Sequence, residues 1–310
     1  MTQREIMLVL LGLAFGMFLA SLDQTVVSTA MRTIADDLQG LSQQAWVTTS
    51  YLIVSTVVTP IAGKLSDIYG RRPIYIISIG IFLLGSLLSG LATSMIELAA
   101  FRAVQGLGAG GLMSLAFTII ADIIAPRERA RYQGLFIAVF GASSVLGPLI
   151  GGFFAGSADI VGITGWRWVF LLNLPVGAIA LFMVWRFLHV PQFKQNHKID
   201  WLGVVTVIAA VTPLLLVAEN GREWGWMSAN AMLCYSIGVA GIVGFIAAEK
   251  KMGEAALIPL TLFKSVTFSQ FTVLGVLVGF SMFGAMMTIP LFLQLVVGST
   301  PTESGIQMLP

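Results

Sequence analysis

The feature that most constrains this chain is a series of long apolar segments along nearly its whole length. About nine of them are long enough for a helix to cross the ~30 Å hydrocarbon core of a bilayer. They lie near Ile6–Ala30, Trp46–Ala62, Ile74–Thr93, Met95–Ala121, Leu135–Gly156, Trp168–Leu188, Leu202–Ala218, Asn230–Ala248 and Phe268–Leu293. Each must be helical, because an open strand in lipid leaves backbone groups unpaired. The sequence therefore predicts an all-α integral membrane protein.

Composition excludes several other classes of protein. Hydrophobic residues make up 57% of the 310 residues and charged residues only 10%, whereas soluble domains carry about 25% charged residues. The net charge of +2 favours no nucleic acid partner. The sequence contains no Gly-rich phosphate loop ending in Gly-Lys-Ser/Thr and no metal-ligand spacing of Cys and His. We therefore expect no nucleotide, metal or other cofactor, and an ion gradient as the energy source.

The positions of Lys and Arg predict the topology. A cytoplasmic N-terminus puts 13 of the 17 basic residues in cytoplasmic loops, as the positive-inside rule requires. These are Arg4, Lys64, Arg71, Arg72, Arg127, Arg129, Arg131, Arg186, Lys194, Lys198, Lys250, Lys251 and Lys264. The first apolar segment is longer than a signal-peptide core, so we interpret it as an uncleaved helix of a multi-pass plasma membrane protein.

Asp23 interrupts the first apolar segment, about eight residues before its predicted outer end. A carboxylate in the hydrocarbon region costs several kcal/mol unless it is protonated, paired or hydrated, and such residues often relay protons. Asp23 is therefore a candidate for proton coupling, with a structural ion pair as the alternative. Ser21, Gln24, Thr25 and Ser28 form a polar stripe on the same helix, which predicts either a hydrated path or hydrogen bonds to a neighbouring helix.

Arg102 is a second charge within an apolar segment. It lies ~10 Å below the outer end of the fourth segment, and Asp23 lies ~12 Å below that of the first. The two side chains can pair if the helices touch, and Gln105 shares the Arg102 face. Such an arginine could hold Asp23 ionised until a conformational change separates them. A permanent structural pair is the alternative.

The loop after the second segment reads GKLSDIYGRRP and begins at Gly63. Gly63 and Gly70 permit a tight turn and close helix approach. Asp67 and Arg71 are four residues apart, and Asp122 ends the fourth segment on the same membrane face. These charges could form a cytoplasmic gate; a basic loop that only sets topology is the alternative.

Three motifs resemble those of the major facilitator superfamily. They are the Gly63 loop, the RAVQGLGAG run beginning at Arg102 and the GASSVLGPLIGG run beginning at Gly141. The resemblance implies a helical bundle of that type, proton coupling through the fourth-segment arginine, and an antiporter helix. The candidate residues on that helix are Gly141, Gly147, Pro148, Gly151 and Gly152. Gly147 and Gly151 have the small-xxx-small spacing of tightly packed helices, and Pro148 is expected to bend the helix.

Other motifs resemble the 14-helix drug:proton antiporter branch: LDQTVV from Leu22, WRWVFLLNLPVG from Trp166 and KIDWLG from Lys198. This resemblance implies a six-helix N-terminal bundle over about residues 1–190, two linking helices over 191–250 and the start of a C-terminal bundle over 251–310. Because Gly305–Pro310 looks like the start of a tenth segment, we expect a C-terminally truncated chain.

The function implied is proton-coupled export of amphipathic or cationic drugs and other small organic molecules, with no catalytic residues. Gln24, Ser28, Phe283 and Met286 are weaker candidates for lining the substrate path, since pliable Met and aromatic surfaces suit unlike ligands. The same scaffold could instead export a metabolite or lipid, or import a nutrient with protons. More remote alternatives are a membrane-embedded enzyme, for which only His189 and His197 are available, and a non-transporting sensor. The oligomeric state is not indicated.

Overall fold

The computed structural model describes residues 3–189, 200–253 and 256–298, apart from some side chains, most of them in the last helix. The described residues form ten α-helices: α1 Gln3–Asp37, α2 Gln44–Tyr69, α3 Arg71–Leu91, α4 Met95–Ile123, α5 Arg129–Gly156, α6 Trp168–Leu171, α7 Asn173–Phe187, α8 Trp201–Trp224, α9 Ala229–Met252 and α10 Val266–Phe292. A short antiparallel hairpin, β1 Asp159–Ile160 and β2 Ile163–Thr164, follows α5. Single helical turns lie at Leu41–Gln43, Gly165–Arg167, Leu260–Lys264 and Leu293–Val297.

Eight helical stretches of the described chain are long and apolar enough to cross a membrane. They correspond to the first eight predicted segments, and the prediction of an all-α integral membrane bundle is confirmed. The ninth predicted segment is helical over Val266–Phe292, although several of its side chains lie outside the described part. The cytoplasmic position of the N-terminus stays a prediction.

Several of the predicted boundaries were wrong. The second helix, for example, continues beyond Ala62 to Tyr69 and so includes most of the predicted loop. The first helix continues beyond Ala30 to Asp37, where the exposed side chains of Arg32 and Asp36 form an i,i+4 ion pair with an Nε–Oδ2 distance of 2.9 Å. The sixth predicted segment is divided into α6 and α7 at Leu172. Pro175 explains this break, because it has no N–H to donate to the carbonyl four residues earlier.

Local sequence signals define several helix ends. The Ser94 side chain accepts a hydrogen bond from the Glu97 N–H at 3.2 Å and starts α4, and Ser228 starts α9 in the same way. Asp200 caps α8 by accepting from the Gly203 N–H at 2.7 Å. Gly70 separates α2 from α3 with a φ of +99°, a conformation that favours glycine.

The bundle is organised around α1, which packs against α4, α5 and α7. Helices α2 and α3 both pack against α4, and α8 packs against α9 and α2. In α10 the described side chains are almost all exposed, and the helix mainly contacts the short helical turns on either side of it. The described apolar core consists of two clusters, both within the part of the chain from α1 to α7. Helices α8 and α9 are attached to it as a pair.

The interface between α1 and α5 is formed by backbone rather than by large side chains. A Cβ atom on Gly151 would lie 2.8 Å from the Val26 carbonyl oxygen and 3.0 Å from Thr29 Cβ. A Cβ atom on Gly147 would collide with the Thr25 side chain. The small-xxx-small spacing thus brings the two helices into the close contact that it predicts.

We expect Gly151→Ala to destabilise the purified protein by about 1–3 kcal/mol, because the added methyl group overpacks the α1 backbone. Its matched control is Gly152→Ala, since a Cβ atom there meets nothing within 4 Å and alanine favours helix by up to ~1 kcal/mol. Thermal unfolding in detergent measures both variants. Equal midpoints for the two would contradict the packing described here.

Candidate functional site

A buried ion pair joins α1 to α4. Arg102 Nη1 lies 2.5 Å from Asp23 Oδ2, and the two residues are 2% and 1% exposed. Removing one partner of such a pair leaves an uncompensated buried charge, which typically costs 3–5 kcal/mol. The structure therefore brings together the two intramembrane charges that the sequence singled out.

Gln105 closes a ring of hydrogen bonds with this pair. Arg102 Nη1 donates to Gln105 Oε1 at 2.7 Å, and Gln105 Nε2 donates to Asp23 Oδ1 at 2.9 Å. Because Arg102 and Gln105 are three residues apart on a helix, both reach the same point on α1. The ring fixes the orientation of the carboxylate as well as its charge.

Asn173 and Ser86 extend the ring to α7 and α3, and sequence reasoning assigned neither of them. Asn173 Nδ2 donates to Asp23 Oδ1 at 2.7 Å and lies 2.8 Å from Ser86 Oγ. The Ser86 hydroxyl in turn donates to the Phe170 carbonyl at 2.9 Å. The available signal was the break before Pro175, since a polar residue at the first position of a broken helix is well placed to reach a buried charge.

Tyr51 on α2 is the other residue that sequence reasoning missed. Its ring lies under the Arg102 guanidinium, with Cζ 4.1 Å from the ring centroid. Among the described residues, Arg102 Nε has no hydrogen-bond partner, so the aromatic face supplies part of the stabilisation of this cation. An aromatic residue in an apolar segment carries no such signal by itself.

Three N–H donors surround the Asp23 carboxylate. It accepts hydrogen bonds from Arg102, Gln105 and Asn173. Both carboxylate oxygens are therefore hydrogen-bonded, and the group connects α1 to α4 and α7.

The polar stripe on α1 divides between two environments. Gln24 and Ser28 are exposed, while Ser21 is buried. Thr25 is half-buried and donates to the Ser143 carbonyl on α5 at 3.1 Å. Gln24 and Ser28 thus remain available to a ligand, whereas Thr25 serves helix packing. The other two candidates for lining the path, Phe283 and Met286, have side chains outside the described part.

A second charged cluster lies where α2, α3 and α4 end together. Arg71 Nε donates to Asp122 Oδ2 at 2.8 Å, while its Nη1 donates to Asp67 and, at 2.5 Å, to Ser66 Oγ. The three charged side chains of the expected gate are therefore in contact. Gly70 provides the turn, but the expected close approach at Gly63 was wrong, because a Cβ atom there meets nothing within 4 Å.

On α5 the motif glycines have different surroundings. Gly147 and Gly151 contact α1, while Gly141 and Gly152 meet nothing within 4 Å of a built Cβ. Pro148 is exposed, and the helix continues through it from Arg129 to Gly156.

An apolar cavity of about 570 Å³ lies beside α2, α3 and α8. Its lining is aliphatic apart from Ser78 and Thr212, and it includes none of the ring residues. Of the two histidines, His189 is exposed and contacts the Phe187 carbonyl, while His197 lies outside the described residues. Neither the cavity nor His189 brings catalytic groups together.

Known proteins share this sequence and this fold. The profile of the Major Facilitator Superfamily matches residues 13–310. The multidrug transporter protein MdtP of Bacillus subtilis (strain 168) is 41% identical over 304 residues, covering 98% of this chain and 55% of MdtP. Multidrug resistance protein 3 of the same organism is 38% identical over 303 residues, covering 97% of this chain and 58% of that protein. The chain thus spans somewhat more than half the length of these relatives.

Solved structures agree on the fold. The proton:xylose symporter XylE, bound to 6-bromo-6-deoxy-D-glucose, superposes with a TM-score of 0.64 at 17% identity, covering 100% of this chain and 66% of that one. The human organic anion transporter MFSD10 gives 0.54 at 14% identity, with 80% and 73% covered. With its membrane-spanning helices and a profile match over almost the whole sequence, this multi-pass membrane protein belongs to the Major Facilitator Superfamily.

Proposed function

We propose that the protein exports amphipathic, often cationic, small organic molecules across the plasma membrane in exchange for protons. The observation that carries this proposal is the buried ring of Asp23, Arg102 and Gln105, which puts a titratable group and its counter-ion on two different helices. The multidrug names of two relatives support a drug-like cargo. The motifs that resemble the 14-helix branch support exchange rather than symport.

Coupling follows from the two states of Asp23. When ionised, it attracts Arg102 and holds α1 against α4. When a proton from the outside neutralises it, that attraction falls and the two helices are free to adopt a second packing. A cationic substrate near the exposed Gln24 and Ser28 would compete with Arg102 for the same carboxylate. Proton and cargo thus compete for one carboxylate and cannot occupy it together, as exchange requires.

The Arg71 cluster acts as the gate at the predicted cytoplasmic end. Its bonds to Asp67 and Asp122 tie α2, α3 and α4 together. Because all three side chains are partly exposed to solvent, each bond is weak enough to break and reform during a transport cycle. We assign the described arrangement to the closed gate.

The domain division proposed is a six-helix bundle over residues 1–190, a linking pair over 191–250 and the beginning of a second bundle from 251. Support comes from α8 and α9, which pack mainly on each other, and from α10, whose described side chains are exposed. Alternating access would then occur between the first bundle and the second.

Asp23→Asn is expected to abolish proton movement evoked by cargo, because the amide keeps the size of the side chain but carries no proton. The measurement uses full-length protein in liposomes with an inward pH gradient, a panel of cationic and neutral amphiphiles and an internal pH dye. Asp36→Asn, an exposed carboxylate on the same helix, is the matched control and should keep its rate within about twofold. Evoked flux that survives in Asp23→Asn would refute the proposed coupling.

Asp122→Asn is expected to slow cargo-evoked proton movement about 10-fold, since an inter-helix ion pair of the gate is lost and coupling energies of this kind are ~1–3 kcal/mol. Arg71→Lys should also slow it, because lysine lacks the fork that reaches both carboxylates. Glu128→Gln, an exposed residue between α4 and α5, serves as control. If Asp122→Asn and Arg71→Lys both keep the wild-type rate, the Arg71 cluster has no gating role.

A further inference from the structure

Two buried carboxyl groups lie outside the ring and the gate. Asp200 precedes α8 and Glu249 is near the end of α9, and each is 1% exposed. One oxygen of each has a backbone partner: Asp200 Oδ1 accepts from the Gly203 N–H at 2.7 Å, and Glu249 Oε2 accepts from the Ile258 N–H at 2.9 Å. The pair therefore connects the start of α8, the end of α9 and the segment that leads to α10.

The second oxygen of each group has no hydrogen-bond partner among the described residues, and both point to one place. Asp200 Oδ2 lies 2.5 Å and Glu249 Oε1 lies 3.1 Å from the position of a Cβ atom built on Gly203. Two ionised carboxylates this close repel each other when buried. A single proton removes the repulsion and supplies the O–H donor that two ionised carboxylates lack.

The surrounding charges also favour a pair of carboxyl groups that holds one proton. Lys64 on α2 is 9% exposed and acts electrostatically on Glu249, although it forms no ion pair within 4 Å with a described carboxylate. Lys250 and Lys251, the neighbouring basic residues on α9, are exposed. With one proton bound, the two carboxyl groups carry one negative charge and Lys64 balances it. Within the described chain no third His, Cys, Asp or Glu joins them as a metal site.

We propose that Asp200 and Glu249 form a proton-binding carboxyl pair that shares one proton and secures the α8–α9 pair beside Lys64 on α2. Loss of that proton would leave two adjacent negative charges and loosen Glu249 from the segment that leads to α10. The site stands on its own geometry; only its role as a second proton station on the predicted cytoplasmic side rests on the proposed antiport.

Infrared spectroscopy of the full-length protein tests the pair directly, through the C=O band of a protonated carboxylic acid. We expect such a band at pH 7. Exposed carboxyl groups have a pKa of about 4 and are ionised at this pH, so they do not contribute to it. Because one proton is shared, Asp200→Asn, Glu249→Gln and the double variant should each lose the same band. Glu128→Gln, the exposed control, should keep the band. Lys64→Met should keep the band to a higher pH than the wild type does, because the cation that favours loss of the proton is gone.

Three results would overturn the proposal: no such band in the wild type, a band unchanged in both single variants, or a band removed by adding Na⁺ or Mg²⁺ at constant pH, which would identify a cation site. Gel filtration checks that each variant is folded. If a variant is not folded, the presence of the band in the wild type and its response to Na⁺ or Mg²⁺ still test the proposal. No cargo is present, so the result is independent of whether cargo evokes proton flux in liposomes.

Discussion

The rest of this structure depends on the desolvation of Asp23 and Arg102. Neither charge is tolerable in a membrane-embedded bundle without a counter-charge, and no single helix offers enough partners. Five helices therefore converge on the pair: α1 and α4 supply the charges, α7 supplies Asn173, α3 supplies Ser86, and α2 places Tyr51 under the guanidinium. The packing of these five helices thus depends on a polar centre as well as on apolar contacts.

The helical segments could be predicted from the sequence because lipid permits few alternatives to helices. The pairing of Asp23 with Arg102 was also predicted from simple helix geometry, although the end of the first helix was placed seven residues too early. Asn173 and Tyr51 were missed for one physical reason. Their roles come from tertiary contacts across 150 and 51 positions of sequence, and neither an amide nor a phenol ring reveals a distant partner through local periodicity.

The two carboxyl sites differ in how they are satisfied. Asp23 accepts N–H donors at both oxygens and has the Arg102 cation as its counter-charge. Asp200 and Glu249 each have a backbone donor at one oxygen only, and their remaining oxygens both lie beside Gly203. Two buried acidic sites of one protein are thus satisfied to different degrees by the groups around them.

The backbone contact between α1 and α5 divides α1 into two faces that tolerate larger side chains to different degrees. Where Gly151 meets the Val26 carbonyl, no side chain can be enlarged without separating the helices. Gln24 and Ser28, on the exposed side, meet no such restriction. The surface chemistry of α1 can therefore be changed on one face while the other face keeps the helix in register.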